Sequence, residues 1–281
     1  MLLFLSCFLS ILLYTLGVIV ICGLLMEGCY ALCFRLLGRR QGRAFWFATS
    51  WLGTPVHELG HAAMCLLFGH KIEKMRLFPD RRGVAMVQHS YNRKNPWATM
   101  GNLFIGIGPI FSGLAVILTV LWLVYPFSLQ AFYAADGGLG GDAVWLLLDR
   151  MWQLLRGLLL ETSRPVWARI LAAVVLFSVT QHVRLSTADI RGMGRGLPAY
   201  LLLCAIAAAV AAILGAGACS LVLGAAIWFG GTVLMLFGVI FPFALLQLTL
   251  LLIYKLLALL FAILFAHPLA NKRKKKKKAT R

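Results

Sequence analysis

The chain has 281 residues, of which 61% are hydrophobic and only 13% are charged, and its mean hydropathy is +0.88. Soluble domains carry about a quarter charged residues, so this composition excludes an ordinary water-soluble protein. The formal net charge of +18 is unevenly distributed, with a strongly basic segment at the end of the sequence. The composition predicts an integral membrane protein that crosses the bilayer several times.

Five apolar stretches follow one another along the chain. A spanning helix needs roughly 20 apolar residues at 1.5 Å per residue, and each stretch approaches or exceeds that length. We expect an all-α membrane protein with about six transmembrane helices, since the last stretch is long enough for two crossings. The stretches are Leu2–Met26, Ala44–Gly69, Gly101–Pro126, Pro165–Val183 and Leu197–Ala266. The first lacks the features of a cleaved signal peptide and is interpreted as a retained helix.

Basic residues predict which side of the membrane each segment faces. Residues 1–270 are interpreted as one polytopic domain, and the tail 271–281 contains seven consecutive basic residues, Lys272–Lys278. Such a tail is expected to be cytoplasmic and to bind anionic lipid. It lacks the interleaved aromatic residues of a nucleic-acid surface, so no nucleic-acid partner is expected. The basic loop 70–100 is predicted to lie on the same side, and the less basic loop 127–164 on the other.

This orientation places both termini inside, and the expected location is a bacterial cytoplasmic membrane. Sequence breaks near Gly215 and at Pro242 suggest three segments in the last apolar stretch. An odd number there leaves two alternatives: one segment is re-entrant, or the orientation is inverted.

Three further features concern the regions between and within the spans. Lys71–Phe78 and Gly83–Tyr91 are β-capable runs joined by a turn-forming segment, which predicts a hairpin after the second span. Ala143–Glu161 has a polar stripe and predicts an amphipathic helix at the membrane interface. The seven cysteines are scattered without a CxxC pair, so they are interpreted as small buried side chains.

A polar motif, His57-Glu58-Leu59-Gly60-His61, interrupts the second apolar stretch and has the pattern HExxH. On a helix, histidines four positions apart project from one face and can share a metal ion. Glu58 is rotated by about 100° and is placed to reach a water molecule beside the metal. Two imidazole ligands with an open coordination position are typical of catalytic zinc, with the glutamate as general base.

The apolar surroundings strengthen this interpretation. Ionisable side chains are costly at membrane depth, so three of them within five positions require a partner or a function. The alternatives to a Zn²⁺ site are a polar helix–helix contact and a decayed site. Pro55 predicts a kinked span whose backbone opens just before the motif.

These residues resemble the site-2 protease family of intramembrane zinc metalloproteases. The resemblance covers roughly residues 44–196 and rests on the HExxH motif within a membrane span, followed by Gly69-His70-Lys71-Ile72 and by Gly106-Ile107-Gly108-Pro109. Ser112 stands where the family usually has an asparagine. The resemblance implies a zinc-dependent endopeptidase that cleaves membrane-anchored protein substrates within or next to a transmembrane segment.

The resemblance also implies a third zinc ligand, an aspartate in a later segment. Asp189 is the acid in a later segment on the expected side of the membrane, and it is the proposed ligand beside His57 and His61, although the family's usual Asn-Pro-Asp-Gly context is absent. Ser186 and Asp189 also fit a helix N-terminal capping box, so a purely structural role is the alternative. The reserve ligands are His70, His89 and His182.

Two other hypotheses compete with this one. Membrane proteases that trim prenylated proteins also use HExxH, but they need a glutamate as third ligand, for which Glu161 is the remaining candidate, apparently on the wrong side. A non-catalytic scaffold or transporter could carry a structural or vestigial zinc site. The basic stretch after the motif could line a water route, and its hairpin could pair with an extended substrate strand.

Overall fold

The computed structural model describes residues 1–79, 85–134 and 143–263. The chain is mainly helical, and a five-residue π-helical turn, Leu13–Gly17, joins the first two helices. The helices and strands are α1 (Leu2–Leu12), α2 (Val18–Leu67), β1 (Lys71–Arg76), β2 (Met86–Ser90), α3 (Pro96–Val124), α4 (Pro126–Ala134), α5 (Ala143–Leu160), α6 (Val166–Thr180), α7 (Thr187–Leu214) and α8 (Ala216–Phe261). The basic tail 271–281 lies outside the described residues.

Within the described residues, four helical stretches are long and apolar enough to cross a membrane: Leu2–Leu67, α3, α7 and α8. Helix α6 is apolar but has only 15 residues, about 22 Å at the standard rise. The expected helical membrane fold with a small β-sheet is therefore found, whereas six crossings stay a prediction. The first stretch joins two predicted spans without a loop, and its 66 residues would extend to roughly 100 Å if straight.

The backbone of α2 departs from helical geometry at Gly38, where φ is 73° and ψ is 171°. A positive φ is accessible to glycine because it lacks a Cβ atom. Pro55 lies farther along the same helix, where the backbone dihedral angles stay helical. The departure from helical dihedral angles therefore lies at Gly38, 17 residues before Pro55, and the kink at Pro55 stays a prediction.

Helix α3 lies at the centre of the fold and packs closely against α2 and α7. At the contact with α2, a Cβ atom added to Gly60 would lie 2.5 Å from the Gly108 carbonyl oxygen. At the contact with α7, a Cβ atom added to Gly196 would lie 2.5 Å from the backbone nitrogen of Leu103. Small residues allow membrane helices to approach in this way. The glycines of α3 and its neighbours therefore set how near the motif helix comes to α7.

Strands β1 and β2 pair antiparallel, with Lys71 opposite Ser90 and Arg76 opposite Met86. The register shifts between Ile72 and Lys74, which makes Glu73 the extra residue of a bulge. Residues 80–84, which include most of the predicted connecting turn and the start of the second predicted strand, lie outside the described residues. A small two-stranded sheet is therefore present, with strands shorter than the predicted runs, whereas the membrane-associated placement of the hairpin stays a prediction.

Helix α5 corresponds to the predicted amphipathic segment and ends one residue earlier, at Leu160. Trp145 and Trp152 on this helix are largely exposed, which suits an interfacial position. The following residue, Glu161, accepts hydrogen bonds from Ser128 and from the backbone nitrogen of Phe127. Burial raises the pKa of Glu161, but these hydrogen bonds outweigh it and hold that pKa below its usual value.

We predict that Gly108→Ala destabilises the protein by about 1–3 kcal/mol, because its methyl group would meet Gly60 backbone atoms at 2.5–2.8 Å. The measurement is thermal unfolding in detergent, where the transition temperature should fall. Gly224→Ala on α8 is the matched control, since its Cβ atom meets nothing within 4 Å. The control should match wild type or gain slightly. Equal behaviour of the two variants would contradict the close approach of α2 and α3.

Candidate metal centre

His57 and His61 on α2 converge with Asp189 on α7. The two Nε2 atoms lie 3.2 Å apart. Asp189 Oδ1 lies 3.1 Å from His61 Nε2, and its Oδ2 lies 3.7 Å from His57 Nε2. Zinc ligands at about 2.0–2.1 Å in a tetrahedron are separated by roughly 3.3–3.4 Å, so these spacings fit one shared ion. The chain therefore brings the three predicted ligands to one point.

In each of the two histidines, the ring nitrogen Nδ1, opposite Nε2, contacts a backbone carbonyl oxygen. His57 Nδ1 donates to the carbonyl oxygen of His182 at 2.8 Å, and His61 Nδ1 donates to that of Ile105 at 2.7 Å. A carbonyl can only accept, so each Nδ1 carries the proton and each neutral ring has its lone pair on Nε2. With both rings neutral, the two Nε2 lone pairs and the Asp189 carboxylate face one another, an arrangement that a cation between them would stabilise. The donor set therefore fits a metal ion.

Asp189 forms a helix cap with Ser186 and also lies beside the two histidines. Its Oδ2 atom accepts a hydrogen bond from the Ser186 backbone nitrogen at 2.8 Å, and the Ser186 hydroxyl accepts one from the Asp189 backbone nitrogen at 3.2 Å. This is a complete capping box at the start of α7. The same carboxylate faces both histidines, so capping and metal ligation are compatible.

Glu58 lies beside the group formed by His57, His61 and Asp189 and is not one of its candidate ligands. Its side chain is 7% exposed, and its Oε2 atom has no hydrogen-bond partner among the described residues. A buried carboxylate oxygen is strongly favoured to accept a hydrogen bond, so it would bind a water molecule or substrate donor. Glu58 therefore lies next to His57, His61 and Asp189, at the position expected from the helical period.

A cleft of about 270 Å³ opens onto His57, Glu58, His61 and Asp189. Its far wall includes Met86 and Val87 of β2, which lie in the stretch expected to line a water route, and Asn102 and Arg195, which the sequence did not single out. Asn102 and Arg195 are distant in sequence from the motif, so neither spacing nor periodicity could have placed them there. The cleft combines an acidic and histidine-rich floor with a wall that contains both apolar and polar residues.

The other candidate ligands have different roles. Glu161 is held by Ser128 and Phe127 and is not among the described groups that could hold a metal, so its proposed ligation is not supported. His182 serves the centre through its carbonyl oxygen, while its ring Nδ1 contacts the Ser178 carbonyl oxygen at 3.0 Å. His70 and His89 belong to a separate group of residues.

Two polar contacts fix the elements that carry the ligands. Ser112 on α3 donates to the Val56 carbonyl oxygen at 2.7 Å, immediately before the motif. Arg184, between α6 and α7, forms an ion pair with Glu27 on α2 at 2.9 Å and stacks on Tyr30 at 3.9 Å. A cation over an aromatic ring is favourable, more so away from water. These contacts tie the segment before Asp189 to the same helix as the motif.

Comparison with known proteins places this geometry in a family. The family model described as peptidase M50B-like matches residues 26–182, which includes the HExxH motif and ends before Asp189. Searches of curated proteins and of solved structures found no match. The matched region is more than half of the 281-residue chain, and the described residues contain four candidate spans. The chain is a multi-pass integral membrane protein and belongs to the peptidase M50B-like family, a site-2 protease family.

Proposed function

We propose that the protein is a zinc-dependent intramembrane endopeptidase that cleaves membrane-anchored protein substrates within or next to a transmembrane segment. The observation that carries this proposal is the convergence of His57, His61 and Asp189 in a cleft beside Glu58. Family membership supports the same activity. A bound Zn²⁺ would supply Lewis-acid activation of water and of the scissile carbonyl.

The protein's own groups would perform the remaining chemistry. His57 and His61 would each offer an Nε2 lone pair, and Asp189 would offer a carboxylate oxygen. Their hydrogen bonds to backbone groups fix their orientation before any ligand binds. Glu58 would accept a proton from the attacking water molecule and return it to the leaving amine. The buried Oε2 atom of Glu58 supports that role, since no other described residue holds it.

The cleft wall suggests how a substrate would bind. A peptide bond inside a helix is shielded by neighbouring backbone, so the cleaved segment must be extended. Strand β2 pairs with β1 on one edge and lines the cleft with Met86 and Val87. We propose that an extended substrate segment aligns along β2 through backbone hydrogen bonds. The basic tail 271–281, which lies outside the described residues, is proposed to bind anionic lipid.

A non-catalytic scaffold or transporter is the second candidate, because three ligands alone could hold a structural ion. The Glu58 carboxylate separates the two functions, since a structural site has no use for an unpaired buried base.

We predict that Glu58→Gln lowers proteolysis by about 10²–10⁴-fold while zinc content stays at the wild-type level, because the amide cannot accept the proton. The assay is cleavage, in liposomes, of a single-span reporter protein whose transmembrane segment contains a Gly-Pro pair. Glu73→Gln, at an exposed position on β1, is the matched control and should cleave normally. Full activity in Glu58→Gln would exclude this mechanism, and a wild-type protein that binds zinc without cleaving a panel of such reporters would favour the scaffold.

We predict that Asp189→Asn lowers zinc content, because the neutral amide is a poor zinc ligand but can still accept the Ser186 backbone hydrogen bond. Ser186→Ala removes the other half of the capping box, at a cost of about 1 kcal/mol, and leaves the carboxylate in place. Its zinc content should match wild type. Metal analysis and thermal unfolding on the same samples measure both effects. Normal zinc content in Asp189→Asn would assign this residue to capping alone.

A further inference from the structure

The end of α2 brings a cysteine and a histidine together. Gly69 has a positive φ of 68°, its nitrogen donates to the Leu66 carbonyl oxygen, and the His70 nitrogen donates to that of Cys65 at 2.8 Å. This pair of hydrogen bonds is a Schellman motif, which normally places two apolar side chains in contact at the first and last of its positions. In this chain those two positions are occupied by Cys65 and His70.

The His70 ring is oriented by three neighbours. Its Nε2 atom donates to the Ala98 carbonyl oxygen at 2.6 Å, so the neutral ring has its lone pair on Nδ1. Tyr91 stacks on one face with 4.7 Å between ring centres. Nδ1 lies 2.8 Å from His89 Nδ1 on β2. The carbonyl contact is of the same kind as those that hold His57 and His61, and is typical of metal-binding histidines.

We propose that Cys65, His70 and His89 form a second metal site, suited to Zn²⁺. Their ligand atoms all lie within 4.8 Å of one another, and Cys65 is fully buried, with no hydrogen bond to its sulfur among the described residues. One sulfur and two imidazole nitrogens are a soft donor set that selects zinc over magnesium or calcium. The fourth position would be taken by water.

Binding requires a defined movement of protons. Without metal, His89 Nδ1–H donates to His70 Nδ1. On binding, the Cys65 thiol releases its proton to solvent, and the His89 proton passes to Nε2 through solvent, so that both Nδ1 lone pairs face the ion. The two rings must separate by about half an ångström to reach tetrahedral spacing, and the sulfur must move inward. Bonds from the metal ion to the Cys65 sulfur and to the two imidazole nitrogens then replace the hydrogen bond between His70 and His89.

The location suggests what this ion would do. It would join the last turn of α2 to β2, and β2 lines the cleft of the first centre through Met86, Val87 and His89. It would therefore fix the cleft wall relative to the motif helix. This clamping role rests on the proposed function, whereas metal binding by Cys65, His70 and His89 does not.

Cobalt replacement tests the site directly, because thiolate-bound Co²⁺ has a near-ultraviolet charge-transfer band that an imidazole–carboxylate site lacks. The full-length His57→Ala/His61→Ala protein should retain about one metal ion per chain and show this band. Adding Cys65→Ser should remove both the ion and the band. Adding Cys33→Ser, a buried cysteine elsewhere on α2, is the matched control and should keep both.

Should the double-histidine background fail to fold, Cys65→Ser and His89→Gln in the wild-type background should each lower metal content by about one ion per chain, with Glu58 and the first site intact. Wild-type protein without a thiolate band, or with unchanged metal content in both variants, would show that His70 and His89 share a hydrogen bond only. A thiolate band together with an empty first site would refute the proposed protease and leave this second site standing.

Discussion

The backbones of α2 and α3 approach so closely at Gly60 and Gly108 that a methyl group on either would meet the other's backbone at about 2.5 Å. The rest of the site depends on that approach. It brings the carbonyl oxygen of Ile105, about one turn before Gly108 on α3, to 2.7 Å from Nδ1 of His61, which follows Gly60 on α2. The ring donates from Nδ1 to this carbonyl oxygen, which leaves its Nε2 atom directed toward Asp189 and the candidate metal position. Helix packing thereby sets the chemistry of the side chain.

A backbone carbonyl contact of the same kind is made by three histidines that lie on α2 or directly after it and face a candidate metal position. His57, His61 and His70 each donate from one ring nitrogen to a backbone carbonyl, and those carbonyls come from the α6–α7 link and from α3. Each ring is thus held by a different element from the one that carries it. A shift of α3 would alter His61 and His70 together, so the two proposed metal positions share one mechanical support.

The sequence predicted the relative positions of the candidate ligands better than it predicted the helix that carries them. HExxH has a fixed helical geometry, so the relation of His57, Glu58 and His61 follows from the period alone. Asp189 could be proposed from the family resemblance and from the expected side of the membrane. The break at Gly38 could not be predicted, because a glycine permits a positive φ without requiring one. Nor could the place of Arg195 in the cleft wall, because it depends on tertiary contacts between segments that carry no shared pattern.

The capping box at Asp189 explains how a carboxylate is stabilised beside two imidazole rings in such an apolar chain. A free aspartate at this position would lower its energy by turning toward water or by taking up a proton. The Ser186 backbone nitrogen instead donates to Oδ2, and the first turn of α7 presents its partial positive charge to the same group. The residue's structural role therefore stabilises the ionised, correctly oriented side chain that a metal needs. Ligation and capping, which looked like competing interpretations in sequence, support one another because one oxygen pair serves both.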